Sequence, residues 1–110
     1  MFGVVNAIAQ RAPLDMAAYV VGQVHVAHPE QYEAYQKLVP DTLVKYNGKF
    51  LVKGGPVEHL EGTWPVTRMI LLEFDSVESA KAWYNSTEYK KATKARVGAA
   101  TITLTLLQGI

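Results

Sequence analysis

Apolar and polar positions along the chain switch between a period of two and a period near 3.6, and the switches mark out the elements. The valine-rich run 17–26, closed by His28-Pro29, predicts a strand. Pro29 at a first helical position opens a helix whose apolar stripe is Tyr32, Tyr35, Val39, Leu43 and Tyr46. Pro40 interrupts it without an amide donor, which predicts a kink or break. Asn47-Gly48 closes the helix, with the glycine expected to take the left-handed cap position. A second strand is expected over Lys49–Lys53, then a turn or bulge at Gly54-Gly55-Pro56, with Val57–Leu60 a candidate continuation.

Residues 61–65 read as a loop, and the apolar run 67–74 as a central strand. Ser76 is placed to cap a helix with Val77, Ala80, Trp83 and Tyr84 on one side. Ser86 offers a second cap for further turns through Tyr89, Ala92 and Arg96, ended by Gly98. The alternating run Ala100–Gln108 is the last strand. The order β-α-β-β-α-β predicts an α+β, ferredoxin-like fold: a four-stranded antiparallel sheet with its helices on one face.

Strand parity then sorts the side chains. One face collects Val20, Val24, Val26, Phe50, Val52, Ile70, Leu72, Phe74, Ile102, Leu104 and Leu106, an apolar set for the space under the helices. The other collects Tyr19, Val21, Gln23, His25, Leu51, Lys53, Met69, Leu71, Glu73, Thr101, Thr103, Thr105 and Leu107. That second face is too apolar at its centre to be left in water and too polar for an ordinary core. A second copy of the sheet packed against it resolves both problems, so the expected partner is the chain itself.

The chain of 110 residues is one domain, read as residues 16–110 behind an N-terminal extension, 1–15. Phe2–Ala9 is a short apolar stretch, but its first base, Arg11, follows it, which is the wrong flank for a secretory signal. No run approaches the length needed to span a bilayer, so no membrane partner is expected. A net charge of +1, with acids and bases interspersed, offers no basic stripe for nucleic acid. The chain has no cysteine, which excludes disulfides and thiolate metal sites and accords with a cytoplasmic setting.

Several runs resemble one known family. They are Tyr46-Asn47-Gly48-Lys49-Phe50, Lys53-Gly54-Gly55, Leu60-Glu61-Gly62, Arg68, Glu73-Phe74 and the stretch from Ala82 to Tyr89. Together they are similar to the domain of unknown function 1330 family, within the dimeric α+β barrel superfamily, from Met16 to the C-terminus. The resemblance implies the fold and dimerisation, and it assigns no reaction; a small-molecule ligand in the barrel cavity and a purely structural dimer both stay open as expectations. Related barrels include cofactor-independent monooxygenases and isomerases, an analogy of fold alone.

The candidate chemistry is sparse. His25 and Glu73 share the helix-free face and are candidates for a general base and its orienting carboxylate, as a small cofactor-independent enzyme would need. The competing reading is a polar pair within a dimer interface. Lys53 and Arg68, near strand ends, with Trp64 in the adjoining loop, are candidates to hold an anionic ligand at the mouth of that cavity. His25, His28 and His59 lack the spacing and the accompanying acids of a metal site, so no metal is expected. Gly54-Gly55 lacks the lysine and helix of a phosphate loop, and nothing calls for a cofactor. The aromatic stripe is expected to be core.

Overall fold

The computed structural model describes residues 16–64 and 68–110. The expected extension, 1–15, lies outside the described residues. Strand β1 (Ala18–Val26) is followed by helix α1 (Pro29–Val44), then strands β2 (Lys49–Lys53) and β3 (Arg68–Phe74). Helices α2 (Val77–Tyr84) and α3 (Thr87–Lys94) come next, and strand β4 (Ala100–Gln108) completes the order. The sheet runs β2-β3-β1-β4, and every neighbouring pair is antiparallel. This is the ferredoxin-like arrangement that the sequence pattern predicts.

The helices cover one face because that face carries the apolar set. Val20, Val24, Leu72 and Phe74 are buried beneath Tyr32, Tyr35, Val39 and Leu43 of α1 and beneath Ala80, Trp83, Tyr89 and Ala92 of α2 and α3. Tyr32, Tyr35, Trp83 and Tyr89 of the aromatic stripe are core, as their spacing suggests, whereas Tyr46 is half-buried and Tyr84 exposed. Trp83 lies between Phe74 and Tyr89, with ring centroids at 5.3 and 4.2 Å. Its indole N–H donates to Thr42 Oγ1 at 2.9 Å, so its polar end is satisfied inside the core.

The second helical segment divides where its two serines stand. Ser76 Oγ accepts from the Ser79 amide and Ser86 Oγ from the Tyr89 amide, each at 3.1 Å, so each helix start has its own cap.

Four local expectations are corrected. Helix α1 runs unbroken through Pro40, because Val39, Thr42 and Leu43 on either side of it are anchored in the core. Asn47, not Gly48, takes the left-handed conformation, with φ 53°. Its side-chain amide donates to Asp75 Oδ2 at 2.7 Å, which ties the turn to the end of β3. Gly48 is required for room instead. A Cβ there would lie 2.7 Å from both Leu43 Cδ2 and Phe74 Cε1. The candidate continuation at Val57–Leu60 is not a strand, and 55–59 holds no regular structure.

The fourth correction moves side chains between faces. Phe50 pairs with Leu72, but Val52 pairs with Leu71 and Lys53 with Ile70, so a bulge sits between Phe50 and Val52. An extra residue in one strand reverses the parity beyond it. Val52 therefore joins Leu71 on the helix-free face, and Lys53 joins Ile70 on the helix side. No helix among the described residues is long and apolar enough to cross a membrane.

Candidate functional site

The polar groups that gather around a cavity do so beneath α1, on the side of the sheet that faces the helices. Three elements build the site. The first turns of α1 supply Tyr32, Tyr35 and Gln36, the start of β3 supplies Arg68, and the end of β2 supplies Lys53. The bulge is what brings Lys53 to this side. The turn after it makes room for Arg68. Gly54 has φ 77°, its amide donates to the Met69 carbonyl at 2.8 Å, and a Cβ on it would come within 3.1 Å of the Arg68 side chain. Glycine thus meets the backbone conformation and the close approach at once.

The enclosed volume is small, about 30 Å³, room for one or two waters or a carboxylate group. Its floor is apolar: Gly22, Ile70, Leu72 and Leu104. At Gly22 a Cβ would meet Leu104 Cδ2 at 3.2 Å and Ile70 Cβ at 3.4 Å, so the missing side chain keeps this floor open. Exposed Lys53 and half-buried Arg68 stand among the lining residues as the two cations.

The three tyrosines of the site and its surroundings differ in their hydrogen bonding. The Tyr35 and Tyr89 hydroxyls are 2.7 Å apart and satisfy each other. The Tyr32 hydroxyl, on a residue only 1% exposed, makes no hydrogen bond of ordinary geometry among the described residues, although the Arg68 side chain approaches it as a donor. Burial pushes the Tyr32 phenol above its ordinary value, and the nearby Arg68 guanidinium works against that rise. The same guanidinium lies 5.5 Å from the Tyr32 ring centroid, in cation–π range. Burial and the Tyr89 hydroxyl raise Tyr35 much further. Both phenols are therefore neutral, proton-bearing donors at neutral pH.

The residues singled out from sequence are only partly brought together. Lys53 and Arg68 share one cavity, but beneath the helices and not in the sheet-to-sheet space where strand parity placed Lys53. Trp64 is 41% exposed in the loop before β3 and does not line this cavity. His25 and Glu73 do not meet within a protomer. Glu73 pairs with Tyr19, while His25 pairs with Thr101 six positions further along β1, about 20 Å away at the strand rise. Strand parity placed them on one face correctly, but register decides distance along it. The spacing of Tyr32 predicts core, with an aromatic pocket between helices and sheet as the lesser alternative, and nothing in it marks the state of the hydroxyl. No three His, Asp or Glu side chains among the described residues are grouped to hold a metal ion.

The helix-free face carries Leu51, Val52 and Leu107, each between 41% and 48% exposed, around half-buried Val21, Met69 and Leu71. The bulge enlarges this apolar patch by adding Val52.

Comparison with known proteins places this architecture. A family model, "Domain of unknown function (DUF1330)", matches residues 17–110. A protein of unknown function from Rhodopseudomonas palustris has a solved structure 21% identical in sequence, covering 96% of this chain and 92% of that one, with a TM-score of 0.66. A dimeric protein of unknown function with a ferredoxin-like fold, from Bacteroides fragilis, is 15% identical over 84% of this chain and 95% of that one, TM-score 0.53. A candidate antibiotic biosynthesis monooxygenase from Caulobacter crescentus is 19% identical over 87% of this chain and 92% of that one, TM-score 0.56. At such identities the likeness speaks for the fold alone. No curated protein sequence matches the chain.

Proposed function

Because the chain belongs to the domain of unknown function 1330 family over residues 17–110, a family whose name assigns no activity, we propose a function from the cavity itself. The protein is a homodimer that binds a small anion with an apolar body beneath α1. One observation carries the ligand reading: Tyr32, whose buried hydroxyl lacks a hydrogen bond of ordinary geometry, lines an apolar cavity together with the cations Arg68 and Lys53. A buried hydroxyl without such a bond costs free energy that a carboxylate oxygen would recover by accepting its hydrogen bond. Arg68 and Lys53 supply the opposite charge. At about 30 Å³ the cavity takes the carboxylate group, and the apolar body of the ligand stays outside it.

The dimer reading rests on the exposed apolar patch of the helix-free face and on the dimeric ferredoxin-like neighbour. A chain without cysteine accords with a reducing, cytoplasmic setting. The acid–base reading of His25 and Glu73 finds no support within a protomer, since the register keeps them apart.

Sodium benzoate tests the ligand, with benzamide as the neutral shape-matched control. Benzoate is expected to give saturable amide shifts at Gln36, Lys53 and Arg68, and Arg68→Gln to weaken it at least about tenfold, the loss of one charge-assisted hydrogen bond. Equal binding of benzamide, or unchanged benzoate affinity in Arg68→Gln, would remove the ligand reading. Sedimentation equilibrium at micromolar concentration tests the dimer. The native chain is expected at twice the monomer mass and Met69→Glu at the monomer mass, because the variant puts two new charges into an apolar interface. A native chain that sediments as a monomer would remove the dimer reading.

A further inference from the structure

A larger cavity lies elsewhere, towards the opposite edge of the sheet. It encloses about 230 Å³, the volume of roughly eight waters at liquid density. It exists because β4 is an edge strand that the helices only partly cover. Ile102, Leu104 and Leu106 point to the helix side, yet each stays half-buried. Trp83 and Tyr84 of α2 form the facing wall.

Into this apolar space comes Arg96. Its Nε is buried and has no hydrogen-bond partner, and the side chain forms no ion pair among the described residues. Its guanidinium carbon stands 5.3 Å from the Tyr35 ring centroid, which fixes its position without neutralising its charge. Lys81 is the second cation of the lining, and no acidic residue is part of it. A buried, unsatisfied guanidinium nitrogen is costly in isolation. The donors this side chain offers a carboxylate in the cavity are its terminal nitrogens, which form no ion pair among the described residues.

We propose that this cavity is a second ligand site, which takes a free monocarboxylate with a medium-length aliphatic chain. The carboxylate pairs with Arg96, and the chain lies along the floor of β4 against Trp83 and Tyr84. The charge of the cavity selects the anion, and its aliphatic floor and length select the chain over a compact aromatic body. The site shares Trp83, Ile102 and Leu104 with the cavity beneath α1, but none of its cations.

The test uses sodium octanoate on the full chain, with octanol as the uncharged probe and octylamine as the cationic one. Octanoate is expected to shift the amides of Lys81, Tyr84 and Leu106 saturably, with octanol at least tenfold weaker and octylamine not binding. Arg96→Gln is expected to lose at least tenfold in octanoate affinity, and Arg96→Lys to recover part of it. Arg68→Gln, in the other cavity, is expected to leave octanoate affinity unchanged. Should Arg96→Gln fail to fold, Leu106→Trp fills the cavity from the exposed edge strand and is expected to abolish octanoate binding with Arg96 intact. The proposal is overturned if octanoate gives no saturable shifts, or if octanol binds as well. It is equally overturned if octanoate shifts cluster at Lys53 and Arg68 and respond to Arg68→Gln instead.

Discussion

Tyr32 and Tyr35 stand three residues apart on α1, both are almost fully buried, and removal of one oxygen from each is expected to move stability in opposite directions. The Tyr35 hydroxyl is bonded to that of Tyr89 at 2.7 Å. Tyr35→Phe breaks that bond and leaves the Tyr89 hydroxyl, on a residue with 0% exposure, without its partner. A buried polar group left unpaired costs about 1–3 kcal/mol. The Tyr32 hydroxyl has only the loose approach of the Arg68 guanidinium to lose. Tyr32→Phe relieves its desolvation, by the same about 1–3 kcal/mol before corrections. Two effects reduce the gain: the oxygen's own packing is lost, and the approach of the Arg68 guanidinium satisfies the hydroxyl in part. Cation–π contact with Arg68 survives, since phenylalanine keeps the ring.

The net expectation is about 1 kcal/mol of added stability for Tyr32→Phe and about 2 kcal/mol lost for Tyr35→Phe. For a domain of this size 1 kcal/mol moves Tm by about 4–8 °C, so the two variants should melt roughly 10–25 °C apart. Urea titration followed by far-UV circular dichroism, with thermal melts alongside, measures both. A Tyr32→Phe variant less stable than the native chain by more than about 1 kcal/mol would show that its hydroxyl is well satisfied. That result would refute the reasoning behind the ligand site along with it. If the site is as described, Tyr32→Phe also binds benzoate more weakly while it melts higher, a trade that a purely structural tyrosine would not show.

Alkaline pH offers a second check. Tyr32 and Tyr35 are both raised by burial, so below about pH 10 folded and unfolded chains hold the same phenolic protons and stability does not respond to them. Above it the unfolded chain releases protons that the folded chain keeps, and stability falls with rising pH by up to about 1.4 kcal/mol per unit for each tyrosine. Urea midpoints between pH 9 and about 11 are expected to show the fall, with a shallower slope in Tyr35→Phe; a flat profile would contradict it. Gly48→Ala drives a methyl to 2.7 Å from Leu43 Cδ2 and Phe74 Cε1, so a loss of about 1–3 kcal/mol is expected in the same urea assay. An unchanged midpoint in that variant would show that the turn moves freely on the core.

Periodicity alone was enough for the element order, because each strand and helix must bury a face and the spacing of apolar residues records which one. It also separated the two faces of the sheet, marked both serine caps and placed Trp83, Tyr32 and Tyr35 in the core. Parity, however, counts residues within a strand and assumes that none is extra. The bulge between Phe50 and Val52 is a property of the pairing between β2 and β3, so only the assembled sheet could carry Lys53 across to the helix side. Register likewise belongs to pairs of strands, and it is what parts His25 from Glu73. The poorly satisfied hydroxyl of Tyr32 and the buried Nε of Arg96 are facts of tertiary packing, since a side chain's lack of a partner depends on everything folded around it. Local sequence thus determined the elements and the faces they bury, and three-dimensional pairing decided which polar groups share a cavity, because hydrogen-bond satisfaction is set by neighbours distant in the chain.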